Sequence, residues 1–226
     1  MTQRQVLLVT GGSRGIGAAI ALLGAQRGFD VAINYLSNRD AAEAVASDCR
    51  KAGAKVCLCQ GDAAVEDDII AMFDKTAAEL GRIDHVVNNA GITGRSSRLD
   101  KAPADVIRQC IDVNVTGAIL VAREAVRRLS IRNGGRGGSI VNISSVASGL
   151  GSPGEYVWYA ASKGAIDSLT IGLAKELAEE GVRVNAVSPG LTDTDIHETS
   201  SGDGARLARL TPQIPLKRPG TPEEIA

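Results

Sequence analysis

Aromatic side chains are scarce in this sequence, because Phe, Trp and Tyr together make up only 3% of its 226 residues. So few rings argue against a nucleic-acid surface that works by base stacking. The formal net charge is −1, which argues against a groove that tracks the phosphates of a nucleic acid. Nucleic acid is therefore not an expected partner.

Long hydrophobic runs are also lacking, since no stretch approaches the ~20 uninterrupted apolar residues that a membrane-spanning helix needs. Residues 1–4 lead straight into an apolar strand pattern without the features of a signal peptide. The overall hydrophobic content of 44% is nevertheless enough for a sizeable core. We expect one soluble domain over residues 1–226, located in the cytoplasm and without a membrane partner.

Residues that bind transition metals are few. The two histidines do not suffice for a histidine-based site, and none of the cysteines shows C-x-x-C spacing. The four cysteines are Cys49, Cys57, Cys59 and Cys110. Most of them fall within predicted helices or strands, so we expect buried free thiols rather than disulfides, and no metal.

Apolar runs of strand length alternate with helical patterns along the chain, which predicts an α/β fold with a parallel sheet and helices on both faces. The predicted strands lie near 5–10, 30–35, 55–60, 83–88, 138–143 and 182–188. The predicted helices lie near 15–28, 39–53, 65–80, 103–132 and 157–180. Ligands of such sheets bind beyond the carboxyl ends of the strands, and the candidate motifs follow strand ends.

A glycine-rich turn, GGSRGIG at 11–17, follows the first predicted strand and opens an apolar-periodic helix. Glycines allow a tight turn and a close approach to a pyrophosphate, whose charge the N–H groups and the helix dipole receive. The pattern is typical of a dinucleotide site, although its spacing, TG-x-x-x-G-x-G, differs from G-x-G-x-x-G. Taken alone, such a segment is more often a plain turn.

Tyr159 and Lys163 are candidates for chemistry. Their four-residue offset places both on one face of a helix, about 5 to 6 Å apart. A fixed ammonium favours the phenolate and lowers the pKa of a phenol, which is ordinarily about 10. The hydroxyl of Ser145, fourteen residues earlier, is suited to hold a substrate oxygen against the phenol. The alternative is a neighbouring pair on a surface helix; Tyr156, which has Ala160 four residues on, serves as an internal control.

Several motifs together resemble the short-chain dehydrogenase/reductase family, in its short single-domain branch. TGGSRGIG, NNAG at 88–91, DVNVTG at 112–117, NISS with YAASK, and SPG at 188–190 follow the family's order and approximate spacing. Within the family, the sequence is similar to bacterial glucose-dehydrogenase-like and 3-oxoacyl-carrier-protein-reductase-like members, and its motifs do not distinguish between these two groups. The resemblance implies a Rossmann-type doubly wound sheet, hydride transfer between a nicotinamide cofactor and a carbonyl or alcohol carbon, and a homo-oligomer, tetramer or dimer.

The resemblance also implies roles for individual residues. Tyr159 would be the acid/base and Ser145 the carbonyl binder. Lys163 would lower the pKa of Tyr159 and contact the nicotinamide ribose, and Asn114 would hold a water in a proton relay. Ser144 is then structural, and the loop 148–155 absorbs a Ser–Tyr separation one residue longer than is commonest in the family. Because all four positions are filled, an enzyme is favoured over a non-catalytic dinucleotide-binding sensor.

The cofactor contacts implied by the resemblance cluster after the strand ends. They are Gly11, Ser13, Arg14, Gly15, Ile16, Gly17, Tyr35, Ser37, Asn38, Asp62, Ala63, Asn89, Ala90, Gly91, Tyr159, Lys163, Pro189, Gly190, Thr192 and Thr194. Asp62 either meets the adenine edge or caps the helix that follows it. Thr192 and Thr194 either meet the nicotinamide carboxamide or pyrophosphate, or serve a turn.

NADP is predicted in preference to NAD. An NAD enzyme needs an acceptor for the adenosine ribose after the second strand, but residues 34–39 contain no acid before Asp40. Arg14 and Arg39 make the predicted pocket neutral to positive. Leu36 departs from this pattern, since NADP-using relatives often carry a basic residue near that point.

The segment 190–215, which turns helical at 205–210, is predicted to be a substrate lid that acts with 93–101 and 148–158 to set specificity. Trp158, Tyr156, Leu150 and Ile196 are candidates for lining a pocket, but their spacing identifies no substrate.

An arginine cluster is either a docking patch for a carrier protein or a solvated face or subunit contact; it comprises Arg123, Arg127, Arg128, Arg132 and Arg136. The last six residues look like the opening of a helix, and the resemblance implies a further helix and a seventh strand beyond them.

Overall fold

The computed structural model describes residues 4–196 and 205–226, and in them six strands form one parallel sheet. The strands are β1 (Val6–Val9), β2 (Asp30–Tyr35), β3 (Val56–Gln60), β4 (Ile83–Asn88), β5 (Gly138–Ile143) and β6 (Val182–Val187). Their order across the sheet is β3-β2-β1-β4-β5-β6, and each neighbouring pair is parallel. The predicted doubly wound Rossmann-type sheet is confirmed.

Helices connect the strands and cover both faces of the sheet. They are α1 (Gly15–Gln26), α2 (Arg39–Lys51), α3 (Glu66–Leu80), α4 (Ala104–Ile111), α5 (Ala118–Leu129), α6 (Ala147–Leu150), α7 (Val157–Glu176), α8 (Ala205–Leu210) and α9 (Pro222–Ile225). The helix predicted at 205–210 forms at those residues as α8.

The single helix predicted over 103–132 is wrong. The structure divides it into α4, a π-helical stretch at Asp112–Gly117, and α5. A side chain at Gly117 would place its Cβ 2.1 Å from the carbonyl oxygen of Ala63, so only glycine permits this approach of the helix to the turn after β3. The helix ends at Leu129 because Ser130 adopts extended ψ and its side chain caps a short 3₁₀ turn at Ile131–Asn133.

The core lies on both faces of the sheet. In β1, Val6 and Leu8 pack among residues of α3 and α5, whereas Leu7 and Val9 pack among residues of α1 and α2. Burial on both faces explains why this strand is a continuous apolar run instead of an alternating pattern. The four cysteines are buried free thiols, as predicted.

The strand order reverses between β1 and β4, and the turns that follow these two strands therefore lie at the switch point of the sheet. Within residues 4–196 and 205–226, no helix combines the length and apolar character needed to cross a lipid bilayer. In the same ranges, no group of three or more His, Cys, Asp or Glu side chains is arranged to hold a metal ion.

Candidate active site

The glycine turn after β1 is held by side chains from the neighbouring strand ends. The hydroxyl of Thr10 accepts the N–H groups of Asn89 and Ala90, each at 3.0 Å. The Asn89 amide donates to the carbonyls of Thr10 and Gly11, at 2.9 and 3.1 Å. Asn34 accepts the N–H of Gly11 at 3.1 Å and donates to the carbonyls that end β3. The side chain of Asn89, a predicted cofactor contact, thus has a structural partner on the turn.

Several features make this turn suited to a pyrophosphate. A Cβ on Gly17 would lie 2.3 Å from the carbonyl oxygen of Gly11, so the turn and the start of α1 touch backbone to backbone. Gly11 and Gly15 both have positive φ, at 61° and 52°, which favours glycine. No side chain caps the N-terminus of α1, and Arg14 stands exposed at its N-cap position. A helix start of this kind attracts anions.

Beyond the carboxyl end of β2, the exposed residues before Asp40 are Leu36, Ser37, Asn38 and Arg39. Tyr35, a predicted cofactor contact, has its side chain buried at 4% exposure. The Asn38 side chain accepts the N–H of Ala41 and caps α2. No carboxylate occurs in this exposed stretch before Asp40.

The turn after β3 is closed by two aspartates. Asp62 accepts the N–H of Ala64 at 2.9 Å, and its own N–H donates to Asp68 at 2.8 Å. Since α3 begins at Glu66 with Val65 at its N-cap, the predicted capping alternative for Asp62 is corrected: its carboxylate closes the turn before the helix. Ala63 lies against Gly117 through its carbonyl.

The two serines after β5 have different partners. Ser144 is buried and donates to the carboxylate of Asp167 at 2.5 Å, which ties the end of β5 to α7. Ser145 is half-buried, accepts the N–H of Ala147 at 3.1 Å and lies beside the phenol of Tyr159, where its hydroxyl opposes the rise that burial gives to the pKa of the phenol. Only Ser145 therefore meets the tyrosine, although the two serines are adjacent in sequence.

Lys163 lies one turn beyond Tyr159 on α7, with its Nζ 5.7 Å from the centre of the phenol ring. The ammonium donates to the carbonyl of Ile143 at 2.7 Å and is 5% exposed. Burial lowers the pKa of Lys163 from 10.5 to about 8, against the opposing effects of Cys110 and Asp167. Burial raises the pKa of Tyr159, and the hydrogen bond from Ser145 only partly offsets that rise. The predicted lowering of the Tyr159 pKa is therefore wrong for this arrangement: burial raises that pKa, and the groups that oppose the rise are Ser145 and Arg206.

Asn114 lies within the π-helical stretch and has 1% exposure. Its amide accepts the N–H of Ile92 and donates to the carbonyl of Ile92, both at 2.8 Å. It also donates to the hydroxyl of Ser162 at 3.0 Å and to the Cys110 sulfur at 3.3 Å. A Cβ on Gly91 would lie 3.3 Å from Asn114 Oδ1 and 3.6 Å from Lys163 Nζ, so these groups converge beside that glycine.

The segment after β6 returns to the glycine turn. The Pro189 carbonyl accepts the N–H of Val146, and Thr192 donates to the carbonyl of Gly190. Thr192 also pairs with Gly220 in a short bridge. A Cβ on Gly15 would lie 3.3 Å from the methyl group of Thr194, which places this threonine against the glycine turn. Residues 197–204 of the predicted lid lie outside the described residues.

An aromatic side chain packs against Tyr159, and a second lies next to it on α7. Tyr156 packs edge-on against Tyr159, with ring centres 5.4 Å apart. Trp158 is buried and donates to the carbonyl of Thr93 at 2.8 Å, so it fixes the 93–101 segment. Leu150 is 73% exposed, whereas Ile196 is half-buried.

The predicted arginine cluster is largely paired with carboxylates. Its ion pairs join Arg123 to Glu66 and Glu124, Arg127 to Glu124, Arg128 to Glu124 and Asp74, and Arg132 to Glu179 and Glu180. Glu124 is 2% exposed at the centre of this network. The pairing favours the alternative of a charge-balanced helix face over a docking patch for an acidic protein.

Some contributors to the site had no motif that identified them. Thr10 and Asn34 lie within apolar strand patterns, and only their polar character at strand ends signals a role. Cys110 joins Asn114 at a four-residue helical spacing, which was too weak a signal to assign. The arginine partners of Glu155 are 51 and 54 residues away in sequence, so no local pattern indicates them.

The chain is similar to known proteins over most of its length. The family model described as short chain dehydrogenase matches residues 5–204. The chain is 49% identical over 221 residues to an uncharacterized oxidoreductase, YgfF, of Escherichia coli strain K12, covering 98% of this chain and 89% of that protein. It is 40% identical to a 3-oxoacyl-[acyl-carrier-protein] reductase of Synechocystis sp., covering 98% and 86%. A short chain dehydrogenase from Burkholderia cenocepacia, crystallised in complex with NADP, superposes with a TM-score of 0.89 at 35% identity, covering 100% and 89%.

Proposed function

The chain belongs to the short-chain dehydrogenase family of oxidoreductases, and from this premise we propose that it transfers a hydride between NADP(H) and a carbonyl or secondary alcohol carbon. The observation that carries the proposal is the contact of Ser145 with the Tyr159 phenol, with the Lys163 ammonium one helical turn away. A nicotinamide cofactor, when bound, supplies or accepts the hydride.

In this proposal, Tyr159 gives a proton to the substrate oxygen during reduction and takes it back during oxidation. Ser145 holds that oxygen at hydrogen-bonding distance of the phenol, which stabilises the charge that develops on it. The ammonium of Lys163 lies 5.7 Å from the centre of the Tyr159 ring, and its positive charge favours the phenolate form of Tyr159. Asn114 acts from within the π-helical stretch by fixing the backbone of Ile92 beside Gly91.

The residues of the crevice fit a dinucleotide. The backbone contact between Gly17 and Gly11 leaves no room for a Cβ, as expected of a turn that must approach a pyrophosphate closely. The proposed cofactor-binding residues are those predicted from the sequence, and of these Ser37, Asn38 and Arg14 are exposed at the adenosine end. A pocket with an exposed arginine and no carboxylate favours a 2′-phosphate, and hence NADP over NAD. The NADP complex of the Burkholderia cenocepacia structure supports this preference.

The test of the cofactor is a parallel fluorescence titration with NADPH and NADH. We expect NADPH to bind at least about tenfold more tightly, a difference of about 1.4 kcal/mol. Arg14→Ala should weaken NADPH by about tenfold and change NADH by less than about twofold, because only the 2′-phosphate loses a partner. Arg27→Ala, an exposed arginine at the opposite end of α1, is the matched control and should change neither. Equal losses of both cofactors in Arg14→Ala would refute the phosphate assignment.

The substrate class is tested by a panel of 3-oxoacyl thioesters, sugars and simple ketones. The likeness to a 3-oxoacyl-[acyl-carrier-protein] reductase supports thioesters as the first candidate. Turnover of glucose alone would favour a sugar dehydrogenase. Tight cofactor binding without turnover of any panel member would favour a dinucleotide-binding sensor. We further propose that residues 1–226 act as one domain, in the cytoplasm and as a homo-oligomer. Sedimentation of the purified chain would test the oligomeric state, and fractionation of cells would test the location.

A further inference from the structure

Glu155 lies directly before α7 and contacts two segments that are distant in sequence. Its backbone carbonyl accepts the N–H of Ser97 at 2.7 Å, which attaches the 93–101 segment. Its carboxylate accepts from two nitrogens of Arg206, at 2.9 and 3.2 Å, and from Arg209. Both arginines belong to α8, so this one residue joins α8 and the 93–101 segment to the start of the helix that carries Tyr159.

The contact continues from α8 towards the phenol. The guanidinium of Arg206 lies over the ring of Tyr156, 5.1 Å from its centre. Tyr156 is 3% exposed and packs edge-on against Tyr159, with ring centres 5.4 Å apart. Glu155, Arg206 and Arg209 form what we call the latch, which reaches Tyr159 through a single intervening ring.

The latch is sheltered enough to be more than a surface ion pair. The side chain of Arg206 is 10% exposed and that of Glu155 16%, whereas an exposed pair contributes little. Burial by itself would raise the pKa of Glu155, but the hydrogen bonds from Arg209 and Arg206 outweigh it and hold that pKa below its ordinary value. Removing the carboxylate charge would break the ion pair with Arg206, whose side chain is 10% exposed, and the loss of a charge partner is costly in a sheltered site.

We propose that Glu155 is a positioning residue whose carboxylate fastens α8 at the mouth of the substrate site, next to Tyr156 and Tyr159. The part of this inference that concerns turnover rests on the proposed function, because it takes Tyr159 as the acid/base. The fastening of α8 itself does not depend on any activity.

The first test therefore measures the position of α8 without turnover. Trypsin cleaves after arginine, so cleavage after Arg206 and Arg209 reports directly on the release of α8. In Glu155→Gln, which keeps the shape and both cleavage sites, we expect the cleavage rate at these two arginines to rise at least about fivefold. Glu43→Gln is the matched control, since it removes an ion-paired carboxylate from the exposed surface of α2 and should leave cleavage at Arg206 and Arg209 unchanged.

The second test is kinetic and uses a substrate from the panel above. With α8 released, Glu155→Gln should raise KM for the carbonyl substrate about tenfold and change kcat by less than about threefold, because closure over the substrate is weakened while the reacting groups remain. The Kd for NADPH should stay the same. A merely structural role would lower kcat and cofactor binding together.

The two readouts separate the two proposals. Faster cleavage in Glu155→Gln, in a chain that turns over nothing, supports the latch and refutes the proposed function. Unchanged cleavage and unchanged KM in an active chain refute the latch. If Glu155→Gln does not fold, Arg209→Gln removes the more exposed of the two ion pairs, at 60% side-chain exposure, and should still raise cleavage after Arg206 about twofold. No increase in that variant would overturn the proposal.

Discussion

On the proposed cofactor side of the cleft the glycine turn and α1 touch backbone to backbone, whereas on the proposed substrate side an ion pair between two side chains joins α8 to the start of α7. The glycine turn is also held by the hydroxyl of Thr10, which accepts the N–H groups of Asn89 and Ala90, and by the side-chain amide of Asn89, which donates to the carbonyls of Thr10 and Gly11. The other side depends on Glu155 with Arg206, which are 51 residues apart, and on Trp158 with Thr93, which are 65 apart.

The difference teaches how each side responds to sequence change. A backbone contact tolerates exchange of nearly any side chain but not the addition of a Cβ where two backbones touch. A side-chain contact tolerates backbone adjustment but not the loss of one charge. Substitutions should therefore impair one side at a time, and three predictions use this separation.

The largest expected effect is that of Tyr159→Phe. Removal of the phenol oxygen should lower kcat/KM about a thousandfold, within the range typical of a lost general acid. The Kd for NADPH should change little, because the ring and Lys163 remain. Steady-state kinetics and the cofactor titration measure the two values separately.

Tyr156→Phe is the control for that variant. Its ring stays in place under Arg206 and against Tyr159, so kcat/KM should stay within about threefold of the wild-type value. Equal activity of Tyr159→Phe and the unmodified chain would remove the assignment of Tyr159 as acid/base.

Gly17→Ala should impair the cofactor side alone. Its Cβ would lie 2.3 Å from the carbonyl oxygen of Gly11 and 2.5 Å from Asn89 Nδ2, so the turn must open. We expect NADPH to bind about a hundredfold more weakly, a loss of about 3 kcal/mol. Trypsin cleavage after Arg206 should not change if the two sides are independent.

Gly172→Ala provides the matched control, because this glycine is also helical but a Cβ there meets no atom within 4 Å. Helix propensity alone favours alanine by up to about 1 kcal/mol. The control should therefore gain stability in urea unfolding and keep its NADPH affinity. A similar gain in Gly17→Ala would contradict the close backbone contact.

The smallest effect concerns Lys163, which lies where the two sides meet. Burial lowers its pKa from 10.5 to about 8, so between those two values the unfolded chain holds a proton that the folded chain has released. Unfolding then takes up a proton, and the free energy of unfolding contributed by this group rises with pH, by about 2 kcal/mol from pH 8 to 10. Below about pH 8 the full cost of burying the ammonium is present.

Urea unfolding at several pH values, with the unmodified chain and with Lys163→Met, measures this contribution. It is the difference between the two curves of unfolding free energy against pH. Lys175→Met, an exposed lysine of the same helix, should leave that difference near zero. A parallel course of the Lys163→Met and unmodified curves would show that the ammonium is solvated and not buried.

Much of the fold could be predicted because each strand and each long helix carries its own local signal. The apolar run before Gly11 in the sequence corresponds to β1, whose residues are buried on both faces of the sheet in the structure. The helix at 205–210 was also found from its local pattern. The helix predicted over 103–132 failed because its division at Asp112–Gly117 depends on the approach of Gly117 to Ala63, a contact between distant segments.

The candidate site divides in the same way. The choice of Ser145 over Ser144 came from family resemblance, and the structure gives it a physical basis, since Ser144 is bound to Asp167 while Ser145 meets Tyr159. The effect of Lys163 on the phenol could not be judged from spacing, because burial of both groups opposes it.

The sequence by itself determined the order of strands and helices, the glycine turn and the spacing of Tyr159 with Lys163, since these follow from local backbone preferences and helical periodicity. Only the tertiary structure decided which serine meets the phenol, how deeply the ammonium is buried and that Glu155 fastens α8. Each of these depends on side chains brought together from separate segments, and both the strength of an ion pair and the pKa of a buried group are set by surroundings that no local pattern encodes.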